Sequence, residues 1–297
     1  MKNIFVLFLI CVFASCTKDN KKTNQQAERI DILEPLEKVA SGFTFVEGPA
    51  SDKNGNVYFS DIPNQRIYIW TTQDSLVTYR EESNGANGLY IDKEQNLLAC
   101  EGYASRVSLT TPEGDYKIIA SSFEGIPFNR TNDLWAHPNG DIYFTDPQYD
   151  GDMSNLNQGG MHVYRIASDY KNIDKVCSDL VRPNGIIGTP DGKVLYVSDR
   201  GDGKTYKYSI TADGTLSEKT LFINEGSDGM TLDEKGNLYI TTKDKSQVDI
   251  YSQKGKLLKT IEIPEAPTNL TFSGKTKGQL YITARTSLYR LRLDLKP

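Results

Sequence analysis

The chain of 297 residues carries 34 Lys and Arg against 39 Asp and Glu, a formal net charge of −5, with two His and four Cys. Its 38% hydrophobic and 10% aromatic content is enough for a sizeable core and excludes a disordered chain. The lack of a basic block argues against a nucleic-acid partner, and the few His, with no CxxC pair, argue against a His/Cys zinc site.

The N-terminus contains a short apolar run, Ile4 to Phe13, between Lys2 and the sequence Ala14-Ser15-Cys16. This pattern resembles a bacterial lipoprotein signal, in which residues 1–15 are removed and Cys16 is lipidated. An ordinary secretory peptide is the alternative. We therefore expect an exported lipoprotein, in the periplasm or anchored at the outer membrane or cell surface. Its contact with the membrane would be through the lipid on Cys16 only.

The next segment, residues 16–35, is mostly polar and is expected to form a flexible tether. Beyond it, Cys100 and Cys177 are the remaining cysteines, and each lies in an apolar, strand-like run. An oxidising compartment would permit a disulfide between them, but two buried free thiols are the favoured interpretation.

From residue 36 to 297, one sequence unit recurs six times, at intervals of 40 to 52 residues. Each unit has a polar residue, usually followed by Gly, then a short apolar strand, a turn and an aromatic strand. The polar residues that begin the units are Glu47, Asn87, Asn132, Asn184, Asp228 and Asn269. A period of this length is typical of propeller blades, so the sequence predicts an all-β, single-domain, six-bladed β-propeller. Two stacked β-domains would not explain the regular period.

The second strand of each unit is the clearest element of the pattern. These strands are predicted at Val57–Asp61, Leu97–Glu101, Ile142–Asp146, Leu195–Asp199, Leu238–Thr242 and Leu280–Ala284. The last unit contains only three strands, so we expect Leu36 to Ala40 to supply its outer strand and close the ring.

In a propeller, residues at the same offset in each blade converge on one mouth of the central channel. The six polar residues are carboxylates and amides, and oxygen ligands of this kind suit a hard divalent cation. Glu47 and Asp228 would balance the charge of the ion, with Asn132 and Asn184 as neutral ligands. Calcium is favoured, with zinc, magnesium and manganese as alternatives. Asn87 and Asn269 are expected to support the ligands.

Several motifs in this order resemble the senescence marker protein/gluconolactonase/LRE-like family. They are Glu47-Gly48-Pro49, Asn129-Arg130-Thr131-Asn132-Asp133, Arg182-Pro183-Asn184-Gly185 and Ser227-Asp228-Gly229-Met230. Phe144-Thr145-Asp146-Pro147 and Pro267-Thr268-Asn269-Leu270 resemble its bacterial gluconolactonase branch.

The resemblance implies a six-bladed propeller with one divalent metal ion held by Glu47, Asn184 and Asp228. Related diisopropylfluorophosphatase-like and paraoxonase-like propellers add Asn132. By the same resemblance, Arg130 and Asn132 contact the substrate, and Asp228 is both a ligand and the general base.

Other residues at the predicted mouth are weaker candidates. Glu101, Asp146 and Tyr149 are expected to contact substrate, although a carboxylate at a strand end often accepts only backbone N–H bonds. The loop from Tyr149 to Gly160 is expected to be a lid or a specificity loop. His137 and His162 are expected to have no catalytic role.

These observations predict a hydrolase of sugar lactones in which the metal polarises the carbonyl and Asp228 assists the attack of water. The expected partner is a small sugar lactone, and the expected state is a monomer. A phosphotriesterase or arylesterase with the same metal is one alternative. A non-catalytic propeller that binds a glycan or a protein is another.

Overall fold

A computed structural model describes Met1 and residues 30–151, 153–276 and 278–295. The predicted signal segment after Met1 and residues 16–29 of the predicted tether lie outside this part of the chain. Within it, no helix has the length and apolar character needed to cross a membrane.

The chain forms six four-stranded antiparallel sheets, one per predicted blade, and the predicted six-bladed propeller is confirmed. The first strand, β1 (Asp31–Ser41), belongs to the last blade. The first blade comprises β2 (Val46–Ser51), β3 (Val57–Asp61), β4 (Arg66–Trp70) and β5 (Leu76–Arg80). The second comprises β6 (Ala86–Ile91), β7 (Leu97–Glu101), β8 (Arg106–Thr110) and β9 (Tyr116–Ala120).

A two-stranded hairpin, β10 (Ser122–Phe123) and β11 (Ile126–Pro127), precedes the third blade. That blade comprises β12 (Leu134–Ala136), β13 (Ile142–Asp146), β14 (His162–Ile166) and β15 (Ile173–Cys177). The fourth comprises β16 (Pro183–Gly188), β17 (Val194–Asp199), β18 (Lys204–Ser209) and β19 (Thr220–Ile223). The fifth comprises β20 (Met230–Leu232), β21 (Leu238–Thr242), β22 (Gln247–Tyr251) and β23 (Leu257–Glu262). The sixth comprises β24 (Pro267–Phe272), β25 (Gln279–Ala284), β26 (Ser287–Asp294) and β1. Two single-turn 3-10 helices lie at Gly102–Ala104 and Lys243–Lys245.

The N-terminal strand closes the ring as the sequence predicts, because β1 pairs with β26 as the outer strand of the sixth blade. It begins at Asp31, so the last five residues of the predicted tether are part of a strand. Ion pairs support this outer edge, with Glu34 3.2 Å from Arg292 and Glu37 2.8 Å from Arg290. The strand is exposed along most of its length. An exposed edge strand need not alternate apolar and polar residues, so residues 31–35 could not be recognised as part of the strand from the sequence.

The second strands agree closely with their predicted bounds; two of them begin one residue earlier, at Val194 and Gln279. Their apolar side chains fill the spaces between blades. Cys100 and Cys177 are buried free thiols in two different hydrophobic clusters, as favoured from the sequence.

Buried hydroxyl groups join each blade to the next at the channel. Ser60 of β3 donates to the carbonyl of Asn87 in the second blade at 2.8 Å, and Thr145 of β13 donates to the carbonyl of Asn184 in the fourth at 2.8 Å. The same contact joins Ser198 to Ser227, Thr241 to Thr268 and Thr268 to Val46. The second blade has Cys100 at the corresponding position, and there the backbone N–H of Gly88 donates to the carbonyl of Asn132 at 2.7 Å. Each of these bonds fixes the inner strand of one blade relative to the neighbouring blade.

We expect Thr145→Val to lower the free energy of unfolding by about 1–3 kcal/mol, because it leaves the buried Asn184 carbonyl without its donor. Denaturant unfolding measures the change. Thr145→Ser is the matched control, since it keeps the hydroxyl and loses only a methyl group. Equal stability of the two variants would contradict the role assigned to the hydroxyl.

Candidate active site

A cavity of about 400 Å³ opens at the rim of the propeller where the inner strands begin. Most of the residues predicted from the sequence meet there. Those that line it are Glu47, Asn87, Arg130, Asn132, Tyr149, Asn184 and Asp228. They come from five blades and from the loop after β13, so the shared offset in the repeat brings together side chains that are far apart in the chain.

The four proposed metal ligands are nearly inaccessible to solvent. Glu47 is 5% exposed, Asn132 is 8% exposed and Asn184 is 2% exposed. The Asn184 side-chain amide donates from Nδ2 to Asp228 Oδ1 at 2.7 Å. Glu47 Oε2 accepts the backbone N–H of Gly48 at 3.0 Å.

Glycine follows the polar residue in four of the six units because the inner strands there approach one another too closely for a side chain. A Cβ on Gly48, which has φ +50°, would lie 2.2 Å from the carbonyl oxygen of Asn87. A Cβ on Gly229 would lie 2.1 Å from the Asn269 side chain. The polar–glycine pair of the repeat therefore places a candidate ligand on one residue and permits close packing at the next.

The electrostatics of the cavity suit a cation. Burial raises the pKa of Glu47 well above its usual range, and the nearby Asp228 carboxylate raises it further. Beneath it, burial raises the pKa of Asp133 to about 7, while hydrogen bonds from Leu134 N and Asn269 Nδ2 oppose the shift. The carboxylates of Glu47 and Asp228 repel each other, and a divalent ion would stabilise both of them.

The donor set fits a hard divalent ion, because it offers two carboxylates and two side-chain amides. No group of three or more His, Cys, Asp and Glu that could hold a metal occurs in the described part of the chain. The candidate set differs from such groups because half of its members are Asn.

Arg200 is a site residue that the sequence analysis missed. It lines the cavity, and its guanidinium lies 2.8 Å from Asp228 Oδ2. Both oxygens of Asp228 thus have partners, Asn184 on one and Arg200 on the other. Arg200 directly follows the end of β17, a position that indicates a place at the rim but not its contact with Asp228.

Two arginines are packed on tyrosines at the mouth of the cavity. Arg130 lies over the ring of Tyr103, 4.8 Å from its centroid, and forms an ion pair with Asp150. Arg182 lies over the ring of Tyr149, 5.4 Å from its centroid, and the Tyr149 hydroxyl bonds to the Asn184 amide. Tyr149 and Asp150 belong to the loop expected to be a lid, and this loop contributes directly to the cavity wall.

The expectation that Glu101 and Asp146 face the substrate disagrees with their positions, because both are fully buried and neither lines the cavity. Asp146 accepts the backbone N–H groups of Asn129 and Arg130, each at 2.8 Å, and burial raises its pKa to about 7. Glu101 is enclosed by hydrogen-bond donors. These are Arg80, Asn84, Arg106, Ser108 and Tyr116.

The carboxylate of Asp146 has counterparts in two other blades. Asp61 accepts the backbone N–H groups of Thr44 and Phe45, and Asp199 accepts those of Val181 and Arg182. In each case a carboxylate at the end of a second strand accepts hydrogen bonds from the backbone of the segment that leads into an inner strand. Asp146 thus positions Arg130 through its backbone.

Neither histidine lies in the cavity. His137 accepts the backbone N–H of Asn139 and bonds to the Gly192 carbonyl at 3.0 Å, beside a different cavity. His162 bonds to the Gln158 carbonyl at 3.2 Å, beneath the loop that carries Tyr149, and burial lowers its pKa.

A six-bladed propeller with an oxygen-lined cavity at one end of its channel defines the class of protein. Residues 45–286 match the family model described as the SMP-30/Gluconolactonase/LRE-like region. The chain belongs to this family, which confirms the resemblance seen in the sequence.

Individual relatives agree with that assignment. The chain is 27% identical to the gluconolactonase of Zymomonas mobilis over 89% of this chain and 82% of the relative. It is similar to a solved structure of a candidate gluconolactonase, with 28% identity, a TM-score of 0.81, and coverage of 88% of this chain and 92% of that chain. It is also similar to a gluconolactonase from Xanthomonas campestris, with 25% identity, a TM-score of 0.78, and coverage of 87% and 89%.

We expect Asp146→Ala to raise KM for the substrate more than it lowers kcat, because it frees the segment that presents Arg130. A double-mutant cycle with Arg130→Gln, measured by steady-state kinetics, tests this positioning role. In the Arg130→Gln background, Asp146→Ala should change KM by less than about twofold. Additive effects on KM would instead indicate that Asp146 contacts the substrate itself.

Proposed function

We propose that this protein is a divalent-metal-dependent hydrolase of sugar lactones. The observation that carries the proposal is the meeting of Glu47, Asn132, Asn184 and Asp228 in one cavity, with the first three of them buried. Membership of the family and the names of its relatives support lactone hydrolysis at the family level. The metal and the roles of individual residues are our proposal.

The residues divide into those that hold the ion and those that bind the lactone. Glu47 and Asp228 supply two negative charges, and Asn132 and Asn184 supply neutral oxygen ligands, with calcium favoured. When bound, the ion supplies positive charge that polarises the carbonyl of the lactone. Arg130, held by Tyr103 and Asp150, presents fixed N–H donors to sugar hydroxyls or to the oxygen that gains charge.

Asp228 is the proposed proton acceptor. As the oxygen of water bonds to the carbonyl carbon, Asp228 accepts a proton from that water. The bond between the carbonyl carbon and the ring oxygen then breaks, and the ring oxygen takes the proton that Asp228 had accepted. Arg200 lies 2.8 Å from Asp228 Oδ2, and a carboxylate that contacts cations is in general a weak base. The rate therefore depends on polarisation of the carbonyl and on the reactivity of the lactone itself.

The first test is an assay of the purified protein on D-glucono-1,5-lactone and related aldonolactones. We expect hydrolysis that is abolished by a chelator and restored by calcium, zinc, magnesium or manganese. Asp228→Asn should lower kcat by roughly a hundredfold or more, because it removes both a charged ligand and the proton acceptor.

Asp244→Asn is the matched control, since Asp244 lines an adjoining cavity and is outside the proposed ligand set. It should retain most of the activity. Full activity in the chelated protein would rule out the metal-dependent mechanism. Hydrolysis of aryl esters or phosphotriesters without any action on lactones would favour the alternative enzyme.

We also propose that the protein is exported and anchored by a lipid on Cys16. The proposal is supported by Lys2, the short apolar run and the small residues before Cys16. We expect the full-length chain, expressed in a bacterium, to incorporate labelled palmitate and to fractionate with membranes.

Cys16→Ser should abolish the label and release the protein from the membrane fraction. Cys11→Ser lies within the apolar run and is the matched control, which should keep the lipid. A labelled Cys16→Ser variant would exclude this anchor.

A further inference from the structure

Two arginines in or beside the cavity are not needed to hold the proposed metal ion. Arg200 lines the cavity, and Arg182 packs on Tyr149, which also lines it. Burial raises the pKa of Tyr149, and the nearby positive charges of Arg200 and Arg182 oppose the rise. They come from the two ends of the fourth blade's inner hairpin, since Arg182 precedes β16 and Arg200 follows β17.

Among the described residues that line the cavity, Arg200 is the charged residue that has no opposite charge to itself once an ion is bound. Glu47 and Asp228 would balance a divalent ion, and Arg130 has its own partner in Asp150. Arg200 then shares Asp228 with the ion. Its other attraction is to Asp244, across an adjoining cavity of about 160 Å³ that Arg200 also lines.

Arg182 adds a second positive charge on the same side. Within the described residues its buried Nε has no hydrogen-bond partner, and no carboxylate lies within ion-pair distance of its guanidinium. The backbone N–H of Arg182 is held by Asp199, so its Cα is fixed next to the cavity. The backbone at Arg182 is thus held in place, while one buried donor of its guanidinium has no partner among the described residues.

On these grounds we propose that Arg200 and Arg182 bind an anionic substituent of the substrate, so that the protein prefers lactones carrying a carboxylate or a phosphate over neutral lactones. This inference rests on the proposed lactone hydrolysis and adds the class of lactone. Guanidinium groups suit this role, because their planar N–H donors match the oxygens of both anions.

The test compares three lactones with the metal-loaded protein: neutral D-glucono-1,5-lactone, D-glucaro-1,4-lactone with a carboxylate, and 6-phospho-D-gluconolactone. We expect kcat/KM to be about 10- to 100-fold higher for one of the two anionic lactones than for the neutral one. The better of the two identifies the anion. Arg182→Gln and Arg200→Gln should each reduce this ratio by about tenfold, and Arg182→Lys should restore part of it.

The matched control is Arg285→Gln. Arg285 lies over Phe45, which lines the cavity from the first blade, and the variant removes the same charge from another part of the rim. It should leave the ratio unchanged. An equal fall in the ratio for all three Gln variants would indicate general attraction of anions and would overturn the proposal. An unchanged ratio in Arg182→Gln and Arg200→Gln, even with lower rates on every lactone, would also overturn it.

A binding measurement separates this inference from the proposed function. By calorimetry, D-glucarate should bind the metal-loaded protein about tenfold more tightly than it binds Arg182→Gln, while neutral D-glucitol should not distinguish them. If no lactone is hydrolysed and this difference in affinity is still found, the lactonase proposal fails and the anion site stands. If lactones are hydrolysed and the difference is absent, the anion site fails alone.

Discussion

The hydrogen bond from a buried hydroxyl in one blade to a carbonyl in the next is the constraint on which the site depends. Its acceptors are the carbonyls of Asn87 and Asn184, or of residues beside Asp228 and Asn269. A propeller blade pairs its strands internally, so its neighbours are held mainly by non-directional apolar packing. The hydroxyl contacts add direction at the channel, where a small shift of one blade would separate the proposed metal ligands. The relative positions of the site residues therefore depend on the contacts that join each blade to the next.

A second set of contacts fixes the segments that lead into the inner strands. The carboxylates of Asp61, Asp146 and Asp199 each accept two backbone N–H groups from such a segment. Backbone groups that cannot pair within a sheet are satisfied in this way, even though the carboxylates are buried. The side chains that follow, Arg130 and Arg182 among them, are presented by held backbone rather than by free loops.

The repeat made the fold and most of the cavity predictable. Six polar residues at one offset could be placed at a common rim, and the second strands could be bounded to within one residue. Residues outside that offset could not be placed in the same way. Whether Asp146 points into the cavity or beneath the loop depends on the direction of a strand-end side chain, and its partners, Asn129 and Arg130, are backbone groups with no sequence signature.

Arg200 is a second residue outside the shared offset, and unlike Asp146 it lines the cavity without having been predicted to do so. The position after the second strand holds different residues in most blades, although Arg285 occupies it in the sixth, and only the assembled ring brings Arg200 to Asp228. The offset positions carry the oxygen atoms that every blade contributes at the channel. Residues that depart from the repeat, such as Arg200 and Tyr149, come from single blades or loops and make the cavity asymmetric. A sixfold ring can hold a spherical ion by its repeated positions, but to bind a lactone in one orientation it needs these unrepeated side chains.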